Sequence, residues 1–370
     1  MLITLKTENL LKGLNLVAST IKSDPNLPIL SHVLLETRAG RLRLCTTDLD
    51  TGTNTFVRAK IDEEGSLAVP LKTCLNYLNT ARAEELILKA DNGRLIIKSD
   101  DGQAKINCLA GSDFPFQYSL ISKIKTNFLL SLPGADLRNG LLKTVFSSAK
   151  DNSRPELAGI LFWLKAKDLI LAGTDSYRLA ENLLRINKAG SEEVKMIMPA
   201  VSGLGLARIL TDELTQVFYS DNQILFEFAD HIFTARLTEG NYPDYKQIMP
   251  TNLASELVVV KQELALAVKR AGIFVGAMSN AIKLNFDDQS QKITIRSEGG
   301  NLGSSDSVIK AVSFKGPSQG VAYNFQYLLE GINNIAGDKV VLATSGPDKP
   351  TVLKGLTDDR FTYLVMPVRV

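Results

Sequence analysis

Apolar residues recur three and four apart in TENLLKGLNLVAST, GADLRNGLLKTVFSS and KQELALAVKRAGIF, the spacing of one buried helix face. Alignment puts Leu10, Leu137 and Leu264 in register, each 127 residues from the next. Two β-rich runs about a polar turn follow each helix: HVLLETRAGRLRLCTTD, GILFWLKAKDLILAGTD and AIKLNFDDQSQKITIRSE. That is the pattern of a hairpin. A second helical stretch comes next, PLKTCLNYLNTA, PAVSGLGLARILTD and NFQYLLEGINNIAG. Pro70 and Pro199 are expected at an early helical position, where a missing N–H costs nothing. A strand meander closes each copy, with turns at Asp91-Asn92 and Asp221-Asn222 in the first two, which then end alike in GSDFPF and EGNYPDY.

A fixed long period marks a repeated structural module. The expected fold is therefore α+β, three tandem copies of one module with two helices and antiparallel sheets each: residues 1–123, 124–251 and 252–370. Linkers fall near Ser122–Thr126 and Met249–Ser255. Neither is Gly/Ser-rich, so the modules are expected to be held rigidly.

Composition narrows the chemistry. Of 370 residues, 45% are hydrophobic and 22% charged, enough for an ordinary core in every module. Cys45, Cys74 and Cys108 lack CxxC spacing, which argues against a disulfide framework or a zinc site and for a reducing compartment. His32 and His231 are the only histidines, leaving little for metal or general-base work. No secretory leader or uninterrupted membrane-length apolar run is present, so the expected place is the cytoplasm, without membrane contact. A net charge of +2 leaves nucleic acid open, because a basic face and an acidic face can cancel.

Enzymatic signatures are incomplete. Asp50-Thr51-Gly52 matches the aspartic-protease triplet, but that chemistry needs two carboxylates sharing a proton and no second triplet exists. Such an Asp also caps a strand-end turn. Ser147 to Lys150 spells Ser-x-x-Lys without its companion elements. Asp230 and His231 are neighbours in a strand-like run, where successive side chains face opposite ways. No phosphate-cradling glycine loop occurs. No catalytic site and no cofactor is expected. The first helices of copies two and three carry a modest basic excess: Arg138, Lys143 and Lys150, then Lys261, Lys269 and Arg270.

From end to end the chain resembles the bacterial DNA polymerase III beta subunit, the sliding-clamp family, most tellingly in NLPILSHVLLE, AGTDSYRLA, EGNYPDYKQIMP and YLVMPVRV. The resemblance implies a head-to-tail homodimer whose six modules ring double-stranded DNA without reading sequence, a processivity subunit and not an enzyme. The implied partners are the polymerase III alpha subunit, other polymerases, a clamp loader and repair proteins with clamp-binding peptides. It implies a peptide groove of Leu157, Thr174, Ser176, Tyr177, Arg178, Leu179, Pro243, Gln247, Ile248, Val365, Met366, Pro367, Val368 and Arg369. There, aliphatic residues make an adaptable slot for a Leu or Phe anchor, and Arg178 and Arg369 orient the peptide's polar ends. Ile106 and Cys108 on one side, Ile273 and Phe274 on the other, are implied at the dimer seam, and Lys72, Arg138, Lys150 and Lys269 facing DNA. The chain departs from the family's pattern at Asp24, in a loop often basic, at Gln247, where arginine is common, and at PAVSG, which lacks basic residues. A peptide-binding scaffold that never encircles DNA is the alternative.

Overall fold

The computed structural model describes residues 1–21, 26–100, 102–116, 118–189, 193–250, 252–276 and 280–369; Asp24 lies outside them. Its helices are α1 (Thr7–Ala18), α2 (Leu71–Leu78), α3 (Tyr118–Ile124), α4 (Gly134–Val145), α5 (Ala200–Ile209), α6 (Lys261–Ala271) and α7 (Phe325–Asn334). Six of them match the sequence pattern. The seventh, α3, occupies part of the stretch expected to be a linker at Ser122–Thr126. Pro70 and Pro199 are not helical. Each ends a strand, Pro70 opposite His32 and Pro199 opposite Gly159. At Pro70 the ψ of 107° is extended, so α2 starts one residue later.

The first helices share one inward face. Leu10, Leu137 and Leu264 are buried, and so one turn on are Leu14, Leu141 and Val268. Between them Gly13 and Gly140 let the helix settle on the sheet. A Cβ on Gly13 would meet Leu44 at 2.7 Å, and one on Gly140 would meet Leu171 at 3.0 Å. Both pairs keep the 127-residue offset. The third copy has Ala267 there, also buried.

The chain packs as two compact units. The first comprises Met1–Arg138, Ile186–Ser191 and Val201–Leu237, the second Asn139–Arg185, Glu192–Ala200 and Thr238–Val370. In the first, a five-stranded sheet begins at Lys60–Glu63 and ends at an edge strand, Gly102–Asn107. A ten-stranded sheet carries the hairpin strands His32–Arg38 and Arg41–Thr47, then Thr51–Val57, which pairs antiparallel with His231–Arg236. Beyond it lie Gln223–Phe228 and Leu214–Tyr219.

The second unit repeats this plan. Its nine-stranded sheet runs through Gly159–Lys165 and Asp168–Thr174 to Arg178–Arg185, which pairs antiparallel with Phe361–Val365. A four-stranded sheet has Ser304–Lys310 at its edge. By position in the repeat, Thr51–Val57, Arg178–Arg185 and Ser304–Lys310 are one strand seen three times. So are Gly102–Asn107, His231–Arg236 and Phe361–Val365. Two of the three possible pairings are made within the chain, and the third pair of strands is left as two open edges.

Candidate functional site

A five-residue turn joins the hairpin to the junction strand, and two copies build it identically. In the second unit the Thr174 hydroxyl donates to the Arg178 carbonyl at 2.6 Å, and Asp175 Oδ1 accepts the N–H groups of Tyr177 and Arg178, both at 3.0 Å. In the first unit Thr47 donates to the Thr51 carbonyl at 2.6 Å, and Asp48 Oδ1 accepts the N–H groups of Asp50 and Thr51 at 3.2 and 2.7 Å. The middle residue is left-handed in both, Ser176 at φ +77° and Leu49 at φ +75°. The Asp50-Thr51-Gly52 triplet thus lies in a turn capped by Asp48, and Asp50 gives its N–H to that cap. The Ser147 side chain is fully buried with no hydrogen-bond partner for its oxygen, while Lys150 is exposed. Asp230 pairs with Arg41 at 2.6 Å and His231 Nδ1 meets the Thr55 hydroxyl at 2.7 Å, so these neighbours serve different partners. Burial lowers the His231 pKa, with Asp230 and Glu213 opposing.

The second turn is roofed by two segments. The C-terminal tail is docked: the Met366 N–H donates to the Tyr177 carbonyl and the Val368 N–H to the Ala322 carbonyl, both at 2.9 Å. A chain end this apolar is ordered by such pairing. The other segment is 242–250. Its Tyr242 hydroxyl donates to the Ala172 carbonyl at 3.2 Å, and Tyr245 and Lys246 both donate to the Glu181 carboxylate. Burial, with Glu181 beside it, pushes the Tyr245 hydroxyl well above the usual tyrosine range. Thus anchored, the short turn Tyr245–Ile248 projects Ile248, which is 48% exposed.

Next to them opens a cavity of about 460 Å³, lined by Gln247, Ile248, Met249, Pro250, Asn252, Ser345, Asp348, Lys349, Pro350 and Met366. Gln247, Ile248 and Met366 were expected there. Leu157, Thr174, Leu179 and Val365 are buried; Ser176, Tyr177 and Arg369 are exposed; Pro243, Pro367 and Val368 are intermediate. The 345–350 wall was not anticipated. SGPDKP announces only a turn, and nothing local says what lies against it. Gln247 Nε2 donates to Asp244 Oδ2 at 2.9 Å, so this wall carries a tied amide.

Arg178 departs from its expected role of orienting a ligand's polar ends. Only 3% of it is exposed. Its Nε donates to Asp175 Oδ2 at 2.9 Å and its Nη1 to Glu330, with the guanidinium 4.3 Å over Tyr327 and 5.6 Å over Phe146. Burial pulls the pKa of this guanidinium down, but Tyr363, Glu330 and Asp175 outweigh it and hold the group above its ordinary value.

Other expected residues divide. Arg138 donates to the Leu210 carbonyl at 2.7 Å and to Asp212 at 2.9 Å, an ion pair at the surface. Lys143 pairs with Asp358 and Lys261 caps the end of α7 through the Asn333 and Ile335 carbonyls. Lys72, Lys150 and Lys269 are exposed and make no ion pair among the described residues. The Ile106 side chain faces the core, 7% exposed, and Cys108 is half-buried against it. What that edge offers outward is its backbone. Ile273 is 67% exposed, with Phe274 partly covered.

Sequence models of the DNA polymerase III beta subunit match in order, the N-terminal domain over residues 1–119, the central domain over 131–244 and the C-terminal domain over 246–369. The fold is that of solved sliding clamps. The Bacillus subtilis clamp superposes with a TM-score of 0.95 at 22% identity, covering 100% of this chain and 99% of that one. A Pseudomonas aeruginosa clamp solved with griselimycin bound gives 0.93 at 25% identity, covering 100% of both. The beta sliding clamp of Synechococcus elongatus is 26% identical over 97% of this chain and 96% of its own length. The chain belongs to the DNA polymerase III beta subunit family.

Proposed function

We propose that this chain is a DNA sliding clamp, closing with a second copy into a ring around duplex DNA and holding partner proteins by short peptides in the Tyr177–Ile248–Met366 groove. The observation that carries the ring is the pair of open edges. The strand pairing made at 51–57 with 231–236, and again at 178–185 with 361–365, is missing only between 304–310 and 102–107. A second copy supplies it at both ends, a head-to-tail contact that closes. Carrying the internal register over sets Ile106 opposite Gly303 and Ala104 opposite Ser305. The edge at 304–310 is flanked by uncovered apolar residues: Ile273, Leu302 at 62% and Val308 at 61% exposure. Exposure of this kind marks an interface.

The three modules, 1–123, 124–251 and 252–370, make six in the ring. Lys72, Lys150 and Lys269 supply sequence-independent phosphate attraction, weak enough to slide. A ring of this kind has no motor, so a loader must open it. The groove takes a Leu or Phe anchor from a polymerase, the polymerase III alpha subunit among them, or from a repair protein, and Arg369 meets the peptide's polar end. The work is tethering and not catalysis. The place of work is the cytoplasm; no helix among the described residues is long and apolar enough to cross a membrane.

The test uses clamps loaded on nicked circular DNA, half of it then linearised. At about 1 M salt, where charges are screened beyond about 3 Å, the ring should stay on the circle and leave the linear form. Equal loss from both identifies a peptide-binding scaffold that does not encircle DNA.

A further inference from the structure

We propose that Glu330 of α7, which does not line the groove cavity, is a positioning residue that sets peptide affinity through Arg178. The inference rests on the groove proposed above. The connection is continuous. Glu330 holds Arg178 Nη1, Arg178 Nε holds Asp175 Oδ2, and Asp175 Oδ1 holds the N–H groups of Tyr177 and Arg178. Tyr177, 63% exposed, is what this turn presents, and its carbonyl in turn receives the Met366 N–H of the tail. The turn and the tail that docks on it are therefore both tied to one guanidinium. That guanidinium is fixed by two carboxylates and two rings, and charge-assisted forks of this kind are the strong, directional ones. Without Glu330 the Nη1 end loses its partner, and Asp175 is left with a cation free to turn.

The chain contains its own control. At the equivalent turn of the first unit the hydrogen bonds are the same, but Thr51 stands where Arg178 stands and Gly205, sixth in α5, where Glu330 is sixth in α7. The space is hollow there, a cavity of about 270 Å³ whose lining includes Asp48, Thr51, Ser202, Gly205 and Phe233. One turn is bolted from behind and its twin is not. The bolt accompanies the docked C-terminal tail, and only the second turn is built as a groove.

The experiment measures anisotropy of a fluoresceinated decapeptide ending in Leu-Phe against the full chain, with thermal melts and amide exchange at residues 176–178. Glu330→Ala should weaken binding about tenfold, as loss of a charge-assisted bond in the support implies. Exchange at the turn should rise while the melt stays within a few degrees. Glu330→Gln, which retains an acceptor oxygen, should recover part of the affinity, and Arg178→Lys, which lacks the fork, should not. Affinity of Glu330→Ala within twofold of wild type overturns the inference. So does an equal loss in Glu330→Ala and Glu330→Gln with unchanged exchange at the turn. A chain ending at Val365 separates the two claims. If it loses the peptide while Glu330→Ala does not, the groove stands and the bolt falls. If it binds like wild type, or if wild type binds no peptide, both fall.

Discussion

Ile273→Asp should turn the dimer into a folded monomer. Ile273 is 67% exposed, so the substitution costs the isolated fold little. At the seam the same carboxylate must leave water without a partner. A cost of about 2–3 kcal/mol per seam, met twice because a head-to-tail dimer has two seams, weakens association by about a thousandfold to ten-thousandfold. Light scattering at micromolar concentration reads the mass, and circular dichroism checks the fold. A dimer of unchanged affinity would remove Ile273 from the seam.

Ending the chain at Val365 should abolish peptide binding and leave the ring whole. Strand Phe361–Val365 stays paired with Arg178–Arg185, so the second unit retains its sheet. What goes is the bond from Met366 to Tyr177, the bond from Val368 to Ala322, one wall of the 460 Å³ cavity and the exposed Arg369. Removing both the apolar wall and the turn's clamp should cost at least about a hundredfold in Kd, about 3 kcal/mol. Peptide anisotropy reads the loss and light scattering should still report the dimer. Undiminished affinity would place the peptide elsewhere.

The repeat was legible because its signal is long-range and redundant. The offset at Leu10, Leu137 and Leu264 is echoed by Gly13 and Gly140 and by the two Thr-Asp turns, so independent residues vote for one alignment. The helices were legible for the usual reason, a periodic buried face. Their starts were less so. Pro70 and Pro199 suit the first turn of a helix as well as the end of a strand, and only the pairing with His32 and Gly159 decides. The groove was legible in part. Ile248 and Met366 were found by resemblance, but the 345–350 wall comes from a distant turn whose place is set by tertiary packing. Arg178 shows the limit most clearly. An arginine in a loop looks like a ligand for something outside, and its burial depends on Glu330, 152 residues away. Arg138 likewise has a partner that the local sequence does not announce, Asp212, 74 residues away, though that pair lies at the surface. The open edges are invisible in sequence, because an edge is defined by what does not pair with it.

Closure by strand pairing between copies is tested most directly by the mass of the wild-type chain in solution across a wide range of concentration. Paired edges that close predict two chains per particle from sub-micromolar to high micromolar concentration, with no larger species. A mass of one chain throughout, or a mass that climbs with concentration as an open head-to-tail filament would, contradicts the ring.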